Sequence, residues 1–461
     1  MAERGETPPH PLLHNRVLWI AWLLFAGLQL WGFSGVRHDD AYITYRYGQN
    51  LATGAGLVFN PGERILGSTS PGQMLLSAAV YAVAGLHETP QLLAALGCLA
   101  WSAQSIALFL LLAPALGRGG ALSIAVSVAL GSTHAQNWVP LETNWVAASV
   151  LFAFALAFRR RWYAAALCAA LATLLRPDAW LAALLLGGSC LWELRRKALG
   201  PCLAFLVGAG AWPVFASVYY GSPVPQSALA KYQRSGFGEY LLHELTHPAA
   251  LLARELPELL GAVVTLGLGL CGAVLLVRRA PRLLAFVAYP ALHALAYLWL
   301  RPFTIHSWHM YPWVLGLCVG CWSALICWAD LPKVRVAAGI AAGLFLASHA
   351  AGFARGFRTL ETGYWTGQRQ AVYEDIAGYL REHAVPGDQF ASVEVGTIAY
   401  YTDLPAFDLG GLITRPGADL TQSPVRFLVL DKLYLRTDTP APPVYQSQHG
   451  EFLAVVYRMR P

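Results

Sequence analysis

Charge is what this chain has least of. Charged residues make up 13% of the 461 positions, while hydrophobic residues make up 56%. A soluble domain carries about 25% charged residues, so most of this chain must be covered by lipid or by neighbouring helices. The formal net charge of +6 is small and divided among many short loops. That distribution reads as topology signals and excludes a nucleic-acid surface. Cysteine is missing from every polar segment: Cys98, Cys168, Cys190, Cys202, Cys271, Cys318, Cys321 and Cys327 all lie in apolar runs. A disulfide-stapled exterior is thereby excluded. The Cys318 and Cys321 pair has the spacing of half a zinc knuckle, but no second pair stands in a water-accessible place. These thiols read as small packing residues on membrane helices. P-loop, Rossmann, nucleophile-elbow and haem motifs are also missing, and the glycines of 53–56 form a turn with no strand-turn-helix context around it.

What the chain does have is apolar runs long enough, or nearly so, to cross a bilayer. They fall at 17–33, 92–115, 120–134, 144–158, 162–176, 178–194, 201–219, 257–277, 283–300, 312–330 and 336–352. Arg16 precedes the first, and no small-x-small cleavage site follows it, which predicts a retained signal anchor. Short basic loops set the orientation. The clusters Arg159 to Arg161, Arg195 to Lys197, Arg278 with Arg279 and Arg282, and Lys333 with Arg335 alternate correctly for the cytoplasmic side. The longer segments 34–70, 220–256 and 301–311, and all that follows 353, then lie outside. Residues 71–86 are apolar too, but counting them as a span breaks the parity. We place them as an interfacial or re-entrant helix on the outer surface, with Arg118 cytoplasmic; the alternative is that a shorter run such as 120–134 does not cross.

The last hundred residues change character. Val372, Ile376, Tyr379 and Leu380 recur at helical spacing within 370–383, and Pro386-Gly387-Asp388 makes a turn. Strand-like runs follow at 389–395, 426–430 and 452–457. This predicts a small soluble α/β domain over 353–461, packed on the outer face of a membrane domain over 1–352.

Carboxylates beside a membrane are expensive and therefore candidates for function. The segment 34–70 opens with the adjacent acids Asp39 and Asp40, followed by Tyr42, Tyr45, Arg46, Tyr47, a Gly-rich turn, an Asn-Pro-Gly turn and the pair Glu63-Arg64. This stretch resembles the first outer loop of GT-C-type glycosyltransferases, which take sugars from polyprenyl-phosphate donors. Its combination of two aspartates, an aromatic, Arg46-Tyr47, Asn50, Gly54-x-Gly56-Leu57, Asn60 to Arg64 and Thr69-Ser70-Pro71 is most similar to the mycobacterial terminal arabinofuranosyltransferases and their relatives. Further pieces resemble that family: Leu141-Glu142-Thr143, Arg176-Pro177-Asp178, the loop Tyr220 to Pro225 followed by Lys231, and Val395-Gly396 through Asp408, Gly410, Gly411 and Leu412. The chain departs from the pattern before Leu141, where Ser132 to Pro140 lacks the usual glycine.

The resemblance implies an all-α polytopic membrane bundle of GT-C type with about 11 transmembrane helices and a small outer C-terminal α/β domain. It implies transfer of a sugar, arabinofuranose or a hexose, from a polyprenyl-phosphate donor to a hydroxyl of a glycan, lipid or protein, with inversion. The site would lie on the extracytoplasmic face of a bacterial plasma membrane, with the bilayer and no nucleic acid as partner. An acid of the first outer loop serves as general base in that family; Asp39 and Asp40 match, with Asp39 the first choice. Adjacent residues point differently, so the second acid is left to orient its partner, bind a sugar hydroxyl or hold a divalent cation. The competing reading, that the pair only caps a helix starting near Ala41, requires one acid and leaves the rest of the loop unexplained.

The other candidates are substrate contacts. Tyr42, Glu63 and Glu142 belong to the elements just named. Lys231, Arg234, Arg301 and Arg46 are cations suited to a leaving phosphate, against ordinary snorkelling for Arg234 and Arg301. Arg176 and Asp178 flank a proline at a membrane boundary, where a mutual structural lock is as good a reading as substrate contact. His306 and His309 lie three apart with no third metal ligand evident, which favours hydrogen bonds to phosphate or sugar. Glu394 reads as structural or as an acceptor contact. Two other classes remain: a transporter or flippase, which would favour broken polar helices at the midplane, and a non-catalytic scaffold for envelope assembly.

Overall fold

The computed structural model describes residues 16–131, 138–233, 248–300, 306–359, 367–432 and 442–459. Helices dominate the first three-quarters of the chain. They are α1 Arg16–Phe33, α2 Asp39–Ala52, α3 Pro71–Leu130, α4 Thr143–Phe158, α5 Trp162–Leu175, α6 Trp180–Leu194, α7 Leu199–Tyr220, α8 Gln226–Gln233, α9 Pro248–Arg279, α10 Leu284–Leu300, α11 Tyr311–Ala329 and α12 Arg335–Thr359. Among the described residues five helical stretches are long and apolar enough to cross a membrane: Pro71–Leu130, Pro177–Tyr220, Pro281–Leu300, Tyr311–Ala329 and Arg335–Phe357. Trp22–Phe33, α4 and α5 are shorter apolar helices. Two of the five are broken within their length, so length alone does not reproduce the expected count of spans. Helix α3 leaves helical geometry at Gly85 (φ 76°) and Gly117 (φ 74°), conformations open to a residue without a Cβ. The piece 71–84 is then about 21 Å long at 1.5 Å per residue, short of a bilayer core of about 30 Å.

The basic turns gather at one end of the bundle. Glu193 pairs with Arg160 at 2.7 Å and with Arg282 at 3.4 Å, and Arg279 pairs with Asp330 at 2.5 Å. Helices approach closely where glycines permit it. A Cβ on Gly272 of α9 would lie 1.7 Å from the Gly320 carbonyl oxygen of α11, and one on Gly320 would lie 2.3 Å from the Gly269 carbonyl oxygen. The apolar core runs through Phe33, Trp101 and Phe353, whose rings stand 5.2 to 6.0 Å apart.

At the opposite end sits the C-terminal domain. Helix α13 (Arg369–His383) buries Val372, Ile376 and Leu380 against a five-stranded sheet, as the spacing predicted. The strands are β1 Gln389–Ser392, β2 Ala406–Asp408, β3 Val425–Asp431, β4 Tyr445–His449 and β5 Phe452–Arg458, in the order β2-β1-β3-β5-β4. β1 is parallel to both its neighbours; β5 is antiparallel to both of its own. A short helix, α14 (Gly396–Thr402), follows β1. β2 is three residues long and β4 is the polar edge sequence Tyr-Gln-Ser-Gln-His, so neither carries a two-residue apolar period to be read.

Candidate active site

The segment that follows α1 folds into α2, which is buried at almost every position from Asp39 to Asn50. Its N-cap is His38, with no side-chain capping bond. Asp39 caps a different helix. Its Oδ1 accepts from the Thr397 N–H at 2.8 Å and its Oδ2 from the Gly396 N–H at 3.1 Å, so its charge sits at the N-terminus of α14. Asp39 is only 4% exposed. Asp40 follows about 100° further round the helix.

There it lines a cavity of about 470 Å³. The polar wall of that cavity includes Asp40, Thr44, Ser68, Glu142, Arg176, Asp178, Ser227 and His309, and the apolar wall includes Ile43, Trp180, Leu300 and Leu412. Glu142 precedes α4 and Arg176 follows α5, so these charges stand at helix ends. The Arg176 guanidinium is held on three sides: Asp178 Oδ2 at 2.5 Å, the Trp308 carbonyl at 2.7 Å, and Glu142 Oε1 at 3.8 Å. His293 Nε2 lies 3.2 Å from the same Asp178 oxygen, and the Tyr297 hydroxyl donates to it at 3.4 Å. Burial pushes the Glu142 carboxyl above the usual carboxylate range, against the pull of Arg176. A second, apolar groove of about 310 Å³ runs between α5, α6 and α7, and Trp180 belongs to both spaces.

The structure therefore gathers Asp40, Glu142, Arg176, Asp178 and His309 and leaves other candidates elsewhere. Tyr42 is buried in an aromatic cluster with Tyr45 and Tyr400, its hydroxyl 3.3 Å from that of Tyr401. Arg46 is spent on the Asp403 carboxylate and, at 3.0 Å, on the Asp403 carbonyl. Glu63 accepts from Asn60 Nδ2 at 3.3 Å. His306 stacks on Trp308 with centroids 4.3 Å apart. Lys231 lies on α8, one turn beyond Ser227, but its side chain is outside the described residues, as are Arg234 and Arg301 altogether. His293 and Tyr297 were not singled out, although an ionisable residue inside the apolar run 283–300 is itself a signal. Ser227 offered none.

The ArnT structure from Cupriavidus metallidurans bound to undecaprenyl phosphate superposes with a TM-score of 0.59 at 15% identity, covering 96% of this chain and 98% of that one. The Archaeoglobus fulgidus oligosaccharyltransferase in complex with Zn and sulfate gives 0.56 at 15% identity, over 89% and 67%. AglB from the same organism, in complex with an inhibitory peptide and a dolichol-phosphate, gives 0.55 at 13%, over 90% and 69%. The chain has the GT-C fold. A family model described as a domain of unknown function (DUF8728) matches residues 362–456, within the C-terminal domain. No curated protein matches the sequence.

The acids Asp39, Asp40 and Glu394 have carboxylate oxygens within 4.8 Å of one another, close enough to share a cation. Their chemistry fits one poorly. Asp39 already receives two backbone N–H groups, and Glu394 is ion-paired with Arg369. Burial pushes the Glu394 carboxyl well above its usual range, with Arg369 opposing. A protonated or guanidinium-paired carboxylate is a weak metal ligand, so the three acids make a poor cation site.

Proposed function

We propose that this chain is a polyprenyl-phosphate-dependent glycosyltransferase of the plasma membrane, with its site on the extracytoplasmic face and Asp40 as general base. The observation that carries the reading is Asp40 in a cavity shared with Arg176, with Trp180 lining both that cavity and an apolar groove between α5, α6 and α7. A lipid-linked donor requires that combination: a polar chamber for the sugar and a greasy exit for the chain.

In the reaction, the acceptor oxygen attacks the anomeric carbon as Asp40 takes its proton. The bond from that carbon to the phosphate oxygen breaks, and the polyprenyl phosphate leaves with the electron pair. Attack opposite the leaving group inverts the anomeric centre. Lys231 and Arg234 are assigned to the leaving phosphate; Glu142, Arg176, Asp178 and His309 to sugar hydroxyls. Arabinofuranose or a hexose is the donor sugar, and a glycan, lipid or protein hydroxyl the acceptor. The bound lipid phosphates of ArnT and AglB support the donor class. Transport would place polar, broken helices at the midplane, whereas Glu142 and Arg176 stand at helix ends.

The test is transfer of radiolabelled sugar from polyprenyl-phosphate donors in membranes carrying wild type, Asp40→Asn or Asp39→Asn at equal folded levels. Wild-type transfer that collapses in Asp40→Asn, by roughly 10²-fold or more, supports the reading. Equal transfer by wild type and Asp40→Asn removes Asp40 from the chemistry.

A further inference from the structure

We propose that the C-terminal domain acts as a clamp on α2 that aims Asp40 into the cavity, a role that rests on the transferase reading of that cavity. The clamp has three points. At the start of α2, Asp39 accepts the Gly396 and Thr397 N–H groups. Position 396 has room only for glycine, because a Cβ there would lie 2.1 Å from the Asp39 carbonyl oxygen. Near the end of α2, Arg46 donates to both the carboxylate and the carbonyl of Asp403, and Gln49 Nε2 donates to the same carboxylate at 2.9 Å. Beyond the helix, Asn60 Nδ2 donates to the Ala406 carbonyl at 2.9 Å, and the Ala406 N–H donates back to Asn60 Oδ1 at 3.0 Å.

These points act together because α2 and α14 run side by side in the same sense, with the rings of Tyr42, Tyr45 and Tyr400 packed between them. A helix held at one point can still turn about its axis; one held at both ends cannot. Successive side chains on a helix differ by about 100° in direction, so pinning Asp39 to α14 fixes the direction of Asp40. Asp403 is held at φ 60°, a left-handed conformation that an aspartate tolerates better than most residues and that exposes its carboxylate to Arg46. None of Asp39, Arg46, Gln49, Gly396 and Asp403 lines the cavity. They are positioning residues, and the domain over which a family model of unknown function matches gains a task.

The test uses the full chain in lipid nanodiscs, as wild type, Asp403→Asn and the milder Asp403→Glu. Two measurements are made: amide hydrogen exchange of the 39–52 segment, and transfer kinetics. With the clamp loosened, exchange in 39–52 rises about tenfold or more while α4 and α5 keep wild-type protection. The kcat falls roughly 10- to 100-fold, the donor KM stays within about twofold of wild type, and Asp403→Glu recovers part of kcat. Unchanged exchange in 39–52, or faster exchange with an unchanged kcat, overturns the clamp. A wild type inactive with every donor sinks the transferase reading instead, and the exchange result then decides by itself whether α2 is clamped.

Discussion

Asp178 and Arg176 form one unit: the carboxylate Oδ2 lies 2.5 Å from the guanidinium and takes His293 Nε2 at 3.2 Å on its other side. Both side chains are at least 90% buried. Removing one member of a buried ion pair strands the other charge, at a cost of about 3–5 kcal/mol, whereas removing both can be near neutral. Asp178→Ala and Arg176→Ala are each expected to lower stability in detergent by roughly that amount, and the double variant by less than their sum. Thermal unfolding of the four proteins checks this. Additive losses would show that the residues act independently.

That pair was legible from the sequence as a lock or a substrate contact, and the structure makes it both a lock and a cavity wall. What could not be read was direction. Asp39 and Asp40 are adjacent and chemically identical, and what tells them apart is that Gly396 and Thr397, over 350 residues later, present two N–H groups to Asp39. Arg46 looked like a phosphate cation for the same reason: its partner, Asp403, is remote in sequence. The amphipathic α13 and the hydrophobic strands of the C-terminal domain were legible because their burial is periodic. The breaks at Gly85 and Gly117 were not, since a glycine in an apolar run reads equally as a packing residue or as a kink.

Ser227 supplies a ligand-side prediction. Its hydroxyl is buried, has no hydrogen-bond partner among the described residues, and belongs to the cavity lining. A hydroxyl left unsatisfied costs stability, and a bond to a charged phosphate recovers about 1.5–3 kcal/mol. Ser227→Ala should therefore weaken binding of undecaprenyl phosphate roughly tenfold while leaving the melting point of the empty protein unchanged or slightly raised. Titration of both proteins in detergent, read by native mass spectrometry, measures the first effect. Equal affinities would take Ser227 out of the phosphate's surroundings.

The α9–α11 seam gives a test of the fold. A Cβ at Gly272 would stand 1.7 Å from the Gly320 carbonyl oxygen, so the helices must separate to admit it. Gly272→Ala is expected to cost about 1–3 kcal/mol. Gly339, in α12, has nothing within 4 Å of its Cβ position, and Gly339→Ala should be neutral or stabilising by up to about 1 kcal/mol through helix propensity. Unfolding midpoints of the two variants in one detergent decide the matter; a Gly272→Ala protein as stable as wild type would contradict the close crossing.

Asp408 predicts a pH dependence for the C-terminal domain. Burial pushes its carboxyl up to about 6, against the opposing effect of N–H bonds from Leu412 at 2.6 Å, Gly410 at 2.6 Å and Ile413 at 3.2 Å. With the folded value above the ordinary 3.8, the folded state binds the proton more tightly than the unfolded chain. The stabilisation is complete below pH 3.8 and is lost as pH rises to about 6. It amounts to something on the order of 2–3 kcal/mol. Asp408→Asn cannot titrate, so the stability of wild type relative to this variant should fall between pH 4 and 6.5 and then level off. Chemical unfolding of both proteins across that range measures the difference. The opposite slope, with wild type gaining on the variant as pH rises, would mean that the three N–H donors outweigh burial and that the aspartate is held ionised in the fold.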